Sequence, residues 1–150
     1  MKEKLKCFLA TKAGVELTVA RVMLGVVFLP HGLQKTLGLF GGYGFSGTYH
    51  HFTGMGMPAV VALLVILGES LGSLGLIFGC ITRFCAFGIF MIMAGAIAMV
   101  HWQNGFFMNW FGQQAGEGFE YHLLAIGLAL TVMIGGAGKY SIDKLLEEKL

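Results

Sequence analysis

Charge is what this sequence has least of. Only 12% of its 150 residues are Asp, Glu, Lys or Arg, about half the share usual in a soluble domain. No basic tail or stripe remains to track a phosphate backbone, so nucleic acid is excluded as a partner. Cysteine is equally sparse. Cys7, Cys80 and Cys85 form no C-x-x-C pair, which argues against dithiol chemistry and leaves them as small apolar filler. A cleaved signal peptide is a poor fit to the first apolar run, which after Lys12 is too long, carries Arg21 and ends without a small-x-small site. Two long stretches, 38–57 and 102–118, contain no Lys or Arg at all.

What is present is apolar. Hydrophobic residues make up 56% of the chain and the mean hydropathy is +0.76, the balance of an integral membrane protein, and the length suits one domain. Four apolar segments are long enough to cross a bilayer or nearly so, at about 14–37, 58–79, 84–101 and 119–136. The expected fold is therefore an all-α, integral membrane four-helix bundle. A short amphipathic helix with Ser141 as N-cap and Ile142, Leu145 and Leu146 on one face should follow it at the membrane surface.

Eight of the ten Lys and Arg lie in the two terminal segments or the 80–83 turn. The positive-inside rule then places both termini on the cytoplasmic side and the two aromatic stretches outside. The stretch 38–57 has seven glycines among twenty residues, with Tyr43, Phe45, Tyr49, His50 and Phe52, and is expected to be a loop. Residues 102–118 have the aromatic-belt composition of a second outer loop.

Against this apolar background the ionisable groups stand out. Pro30-His31-Gly32-Leu33-Gln34-Lys35 closes the first span with an imidazole, an amide and an ammonium on one helix face. Arg21 lies fourteen residues before Lys35, nearly four turns, and so on nearly the same side. Glu69 is the one formal charge of the second span, and Arg21 is its expected ion-pair partner inside the bundle. His101 ends the third span, while Glu120 and His122 open the fourth on different sides of the helix. Gly68, Gly72, Gly75 and Gly79 give the second span small-xxx-small spacing for close helix approach.

Several blocks, in order, carry a family likeness: Pro30-His31-Gly32-x-Gln34-Lys35, Phe40-Gly41-Gly42-x-Gly44, Gly47-Thr48, Glu69, Thr82-Arg83, His101, Gly105-Phe106-Phe107 and Glu120-Tyr121. From about Arg21 to Lys144 the chain resembles the DoxX family of small bacterial membrane proteins. The resemblance implies an inner-membrane location and an oxidoreductase or quinol-oxidase-like subunit. A more distant likeness is to four-helix bundles that exchange disulfides with quinone, but their outward cysteine pairs are missing here.

A quinone head group needs donors to its carbonyls and a proton route. The expected site binds a quinone or similar lipophilic redox ligand in the outer half of the bundle. His31, Gln34, Lys35, His101 and His122 would contact the ligand, and Glu69 and Glu120 would relay protons. No metal-ligand motif is visible. Alternatives are a haem or metal site on the histidines, a non-enzymatic scaffold, and a polar network that only locks the helices. The bilayer is the certain partner; a redox partner protein and a homo-oligomer are further candidates.

Overall fold

In a computed structural model, residues 8–12 and 14–149 are described, and among them there is no strand. Among the described residues the main α-helices follow in the order α1 Val15–Leu37, α2 Gly44–Gly54, α3 Ala59–Phe78, α4 Thr82–Ala96, α5 Glu120–Gly135 and α6 Ile142–Glu147. Helix α4 runs on through a π-turn at Ile97–His101 and a 3-10 turn at Trp102–Asn104. Helices α1, α3, α4 and α5 each pack on two of the others in a closed ring. The chain is an all-α membrane protein.

Periodicity explains the bundle. Leu24, Phe28, Leu76, Ile89, Met93 and Ala129 turn inward and form the core. Leu64, Leu71, Leu124 and Ile134 remain 62–72% exposed, an outer coat suited to lipid rather than water. Helix α1, helix α3 and the run Thr82–Asn104 are each long and apolar enough to span a membrane, whereas α5 has 16 residues. At 1.5 Å per residue α5 is only about 24 Å long. Its start is carried toward the aromatic end by a backbone turn, in which Phe119 and Glu120 donate to the Phe106 carbonyl at 3.1 and 2.9 Å.

The 38–57 stretch is not the expected loop, because it contains α2. Its glycines are concentrated where the chain turns. Gly38, Gly41, Gly44 and Gly56 have φ of 72°, 76°, 68° and 85°, a backbone that side chains rarely tolerate. Between Gly44 and Gly54 only Gly47 interrupts the helix. Helix α2 rests on α1 and α3 and leaves Phe45 exposed.

The small-residue spacing of α3 serves close approach in part: Gly68 and Gly75 press on Ile92 and Cys85 of α4, and Gly79 on Ser141 and Arg21. Gly72 has open space where a Cβ would go, and the tightest backbone contact uses Gly25 and Gly32 of α1, which press on the α3 backbone. A Cβ on Gly25 would stand 2.8 Å from the Ser73 carbonyl, and one on Gly32 would stand 2.6 Å from the Ser70 Cα. The two glycines are seven residues apart, so both face the same partner. Gly32→Ala is expected to destabilise the protein by about 1–3 kcal/mol through overpacking against backbone. Gly72→Ala should be neutral, or stabilising by up to about 1 kcal/mol through helix propensity. Thermal unfolding of the two variants in detergent checks the contrast.

The basic end is tied by side chains. Asp143 accepts from the Ile81 and Thr82 N–H groups at 2.7 and 2.8 Å, and its own N–H donates to the Gly79 carbonyl at 2.8 Å. The carboxylate thus closes the N-terminus of α4, where orphan donors and the helix dipole both favour an anion. Ser141 is the N-cap of α6, accepting from the Lys144 N–H at 3.1 Å. Helix α6 is therefore fastened to the bundle instead of merely lying at a surface, with Ile142, Leu145 and Leu146 turned outward.

Candidate functional site

The helix register decides which charges meet. Gly32 sits level with Glu69 and Gly25 with Ser73 and Ile77, so α1 and α3 run antiparallel. Lys35, one turn beyond Gly32, reaches back to Glu69 with Nζ 2.5 Å from Oε2. Arg21 lies eleven residues from Gly32, about 16 Å along the axis, and cannot reach that carboxylate. The expected Arg21–Glu69 pair is corrected on this ground: Glu69 pairs with Lys35.

Arg21 instead caps the end of α3. Its Nη1 donates to the Leu76 carbonyl and, at 2.7 Å, to that of Ile77. Nε donates to the Ala137 carbonyl at 2.8 Å and Nη2 to the Tyr140 carbonyl at 2.6 Å. Those last-turn carbonyls have no partner within the helix, and a cation is favoured there by the helix dipole. Arg83 does similar work at the end of α5, donating to the Met133 carbonyl and, at 2.9 Å, to that of Ala10. Cys80 and Cys85 are free thiols at this same end, with Cys85 buried; Cys7 falls outside the described residues.

At the aromatic end the remaining candidates fall into distinct roles. Gln34 Nε2 donates to the Phe40 carbonyl at 3.1 Å, so it braces the turn after α1. Glu120 Oε1 accepts from the Met108 N–H at 3.0 Å and the Trp110 indole N–H at 3.2 Å, fastening the 105–118 segment to α5. The Glu117 carbonyl accepts from Asn104 Nδ2 at 3.0 Å and lies 2.8 Å from His101 Nδ1. His31 is exposed, with its ring 6.1 Å from that of Phe28.

His101 and His122 come together. Their ring centroids are 4.0 Å apart, with His122 buried and its Nδ1 without a partner. The π-turn that ends α4 brings His101 to this position, a local widening often found where a helix serves a site. From His122 the rings continue to Tyr121 at 5.5 Å, to Phe28 at 6.3 Å and to His31. Aromatic contact therefore joins α1, α5 and the π-turn that ends α4. Among the described residues no three His, Cys, Asp or Glu side chains gather as metal ligands would.

Tyr121 was not among the residues singled out for the site. Its hydroxyl is buried without a hydrogen-bond partner. A tyrosine between two candidate residues in the first turn of an apolar helix was the available signal, since its polar tip needs a partner when buried.

Tyr121 also lines a groove of about 710 Å³. Phe106, Met108 and Trp110 make one wall, and Tyr121, Leu123 and Leu124 make the other, with Glu120 at the seam. Leu124 is 72% exposed, so the groove opens sideways along the lipid-facing side of α5. Its size lies within the ~300–1,000 Å³ of small-molecule sites, as does its mix of apolar walls and few polar groups.

Comparison with known proteins agrees with this architecture. The family model DoxX matches residues 16–102. The chain is 32% identical over 135 residues to the Escherichia coli (strain K12) protein named "Inner membrane protein YqjF", covering 90% of this chain and 95% of that one. It is 32% identical over 113 residues to the Bacillus subtilis (strain 168) protein named "Putative oxidoreductase CatD", covering 74% and 75%. No solved structure matches the chain. A family model spanning more than half of the residues, and a relative aligned along nearly the full length of both chains, lead to one conclusion: this protein belongs to the DoxX family.

Proposed function

We propose that the protein is the membrane subunit of an oxidoreductase system and takes a quinone or similar lipophilic redox ligand into the groove beside α5. The observation that carries this reading is the groove itself. It is apolar and flanked by aromatic rings, it opens toward lipid, and its α5 wall includes Tyr121, whose ring meets that of the buried His122. A ligand confined to the bilayer enters from the side, and titratable groups of the bundle exchange protons with it. The oxidoreductase named among the relatives supports the same class of chemistry.

The roles divide accordingly. Glu69, held by Lys35, is the proton-relay group, and His122, packed on His101, adjoins the groove through Tyr121. Glu120 holds the groove wall in place through Met108 and Trp110. The basic end faces the cytoplasm by the positive-inside rule, and the inner membrane is the location, as the name of the full-length relative suggests. A partner protein supplies the electrons.

The test is extraction and turnover. Protein purified gently into nanodiscs should retain quinone detectable by mass spectrometry and reduce a short-tailed benzoquinone with a suitable donor. Glu69→Gln should cut that turnover at least about tenfold, the lower end of a proton-transfer contribution being about a hundredfold. Protein that retains no quinone and turns none over would sink the proposal.

A further inference from the structure

Helix α5 stops short of a bilayer's width, and the segment 105–118 meets it where it stops. Arg83, at the start of α4, donates to the Met133 and Ile134 carbonyls at the end of α5, so the two helices are level at the basic end. Sixteen residues carry α5 about 24 Å from there, whereas a hydrocarbon core is about 30 Å thick. With the core beginning directly at that arginine, about 6 Å of it remain beyond Glu120. A tilted helix, or an arginine held outside the core, widens the gap.

The segment is built for that depth. Along one edge its rings turn outward: Trp110 and Phe111 are 78% and 88% exposed, with Phe106 and Phe107 exposed beside them. Its backbone donors turn inward. The Met108 N–H donates to Glu120 Oε1 at 3.0 Å and the Asn109 N–H to Glu117 Oε2 at 2.7 Å. The Trp110 and Gly112 N–H groups donate to the Met108 and Asn109 carbonyls at 2.9 and 3.2 Å, and the Gln114 N–H to Asn109 Oδ1 at 3.0 Å. Water satisfies such groups in an ordinary loop, but at membrane depth the protein has to do so itself. The Trp110 indole N–H is likewise committed to Glu120 at 3.2 Å, so no free donor ties this exposed ring to water. Gln113, Gln114 and Glu117 are exposed and give the segment a second, polar edge.

We propose that residues 105–118 form an amphipathic cap seated in the leaflet at the aromatic end: Phe107, Trp110 and Phe111 enter the boundary between headgroups and acyl chains, while Gln113, Gln114 and Glu117 face water. Lipid is the occupant of the aromatic edge because that edge runs on into the lipid-facing side of α5, whose Leu123 and Leu124 line the same groove as Trp110. The segment holds no Lys or Arg to pair with an acidic protein surface, and aromatic rings at headgroup depth are the usual anchors of membrane spans. The cap forms whether or not the groove takes a quinone.

The experiment uses the full chain in nanodiscs, without added quinone, and reads tryptophan emission. Trp102 and Trp110 are the two tryptophans of the sequence, so Trp102→Phe leaves Trp110 as the sole reporter; Trp102→Tyr serves if that variant does not fold. Phospholipid brominated near the top of its acyl chain should cut Trp110 emission at least about twofold, and aqueous iodide should leave it nearly unchanged. A second reporter, Gln114→Trp with Trp102→Phe and Trp110→Phe, should give the reverse, with quenching by iodide and none by the brominated lipid. Iodide quenching of Trp110 with no effect of the brominated lipid would put the aromatic edge in water and overturn the proposal. Protection of Trp110 from both quenchers would overturn it equally, by showing that protein rather than lipid covers that edge.

Discussion

Arg21→Met is expected to destabilise the bundle by about 3–5 kcal/mol, the loss typical when one partner of a buried charged network is removed. The guanidinium is 1% exposed and serves four carbonyls, two at the end of α3 and two in the segment after α5. Methionine fills much of the same volume but donates nothing, so buried acceptors are left bare at about 1–3 kcal/mol each. Arg21→Lys should recover only part of the loss. A single ammonium carries the charge but lacks the planar fork that reaches four acceptors in two directions. Thermal unfolding in detergent measures both variants. The mechanism makes one further demand: adding Glu69→Gln to Arg21→Met should rescue nothing, since Glu69 is paired elsewhere. Rescue would show that the two charges do interact.

The second large effect is at the other end of α1. Lys35→Met should destabilise by about 2–4 kcal/mol, because it leaves the Glu69 carboxylate uncompensated inside the helix bundle. Lys35 is one-fifth exposed at its side chain and Glu69 less than one-tenth, so the loss falls somewhat short of the fully buried limit. Removing both charges, as Lys35→Met with Glu69→Leu, should restore most of the stability, since apolar replacement of an entire buried pair is often close to neutral. A double-mutant cycle on thermal or denaturant unfolding then yields a coupling of at least about 1 kcal/mol. Additive effects of the single changes would contradict the pairing. The proposed redox activity should stay lost in the restored double variant, which separates a proton relay from a helix lock.

The long-range features of the fold were legible where they rest on composition and period. Apolar runs of bilayer length gave the helices their places, and Ser141 announced its helix by the ordinary chemistry of an N-cap. What stayed hidden depended on register between helices. Fourteen residues from Arg21 to Lys35 put both on one side of α1, but only the depth of Gly32 against Glu69 shows which of them meets the carboxylate. Glycine counting failed for a related reason. Four of the seven glycines in 38–57 are sites of positive φ at the borders of α2, and their total says nothing about the residues between them. In α3 the small-residue spacing serves the contact with α4 through Gly68 and Gly75, while the contact with α1 uses glycines of α1. Of the candidate residues, His101 and His122 do meet. Gln34 and Glu120 are engaged in bracing the chain, and Tyr121 emerged only once its hydroxyl could be seen to lack a partner.

The carbonyls that receive Arg21 have a consequence for the order of events during synthesis. Ala137 and Tyr140 lie 116 and 119 residues downstream of it, an interval of roughly 6–24 s at ~5–20 residues per second. For that period α1 sits in the membrane with its guanidinium short of all four acceptors at first and of half of them once α3 has been made, and the long side chain can stay hydrated by reaching toward the basic end. The first span is locked only after the last span has inserted and the segment behind it has folded back. Closure of the bundle is therefore a late, C-terminal event. An insertion error anywhere in α3 to α5 would leave the guanidinium without acceptors that only the complete set of spans supplies.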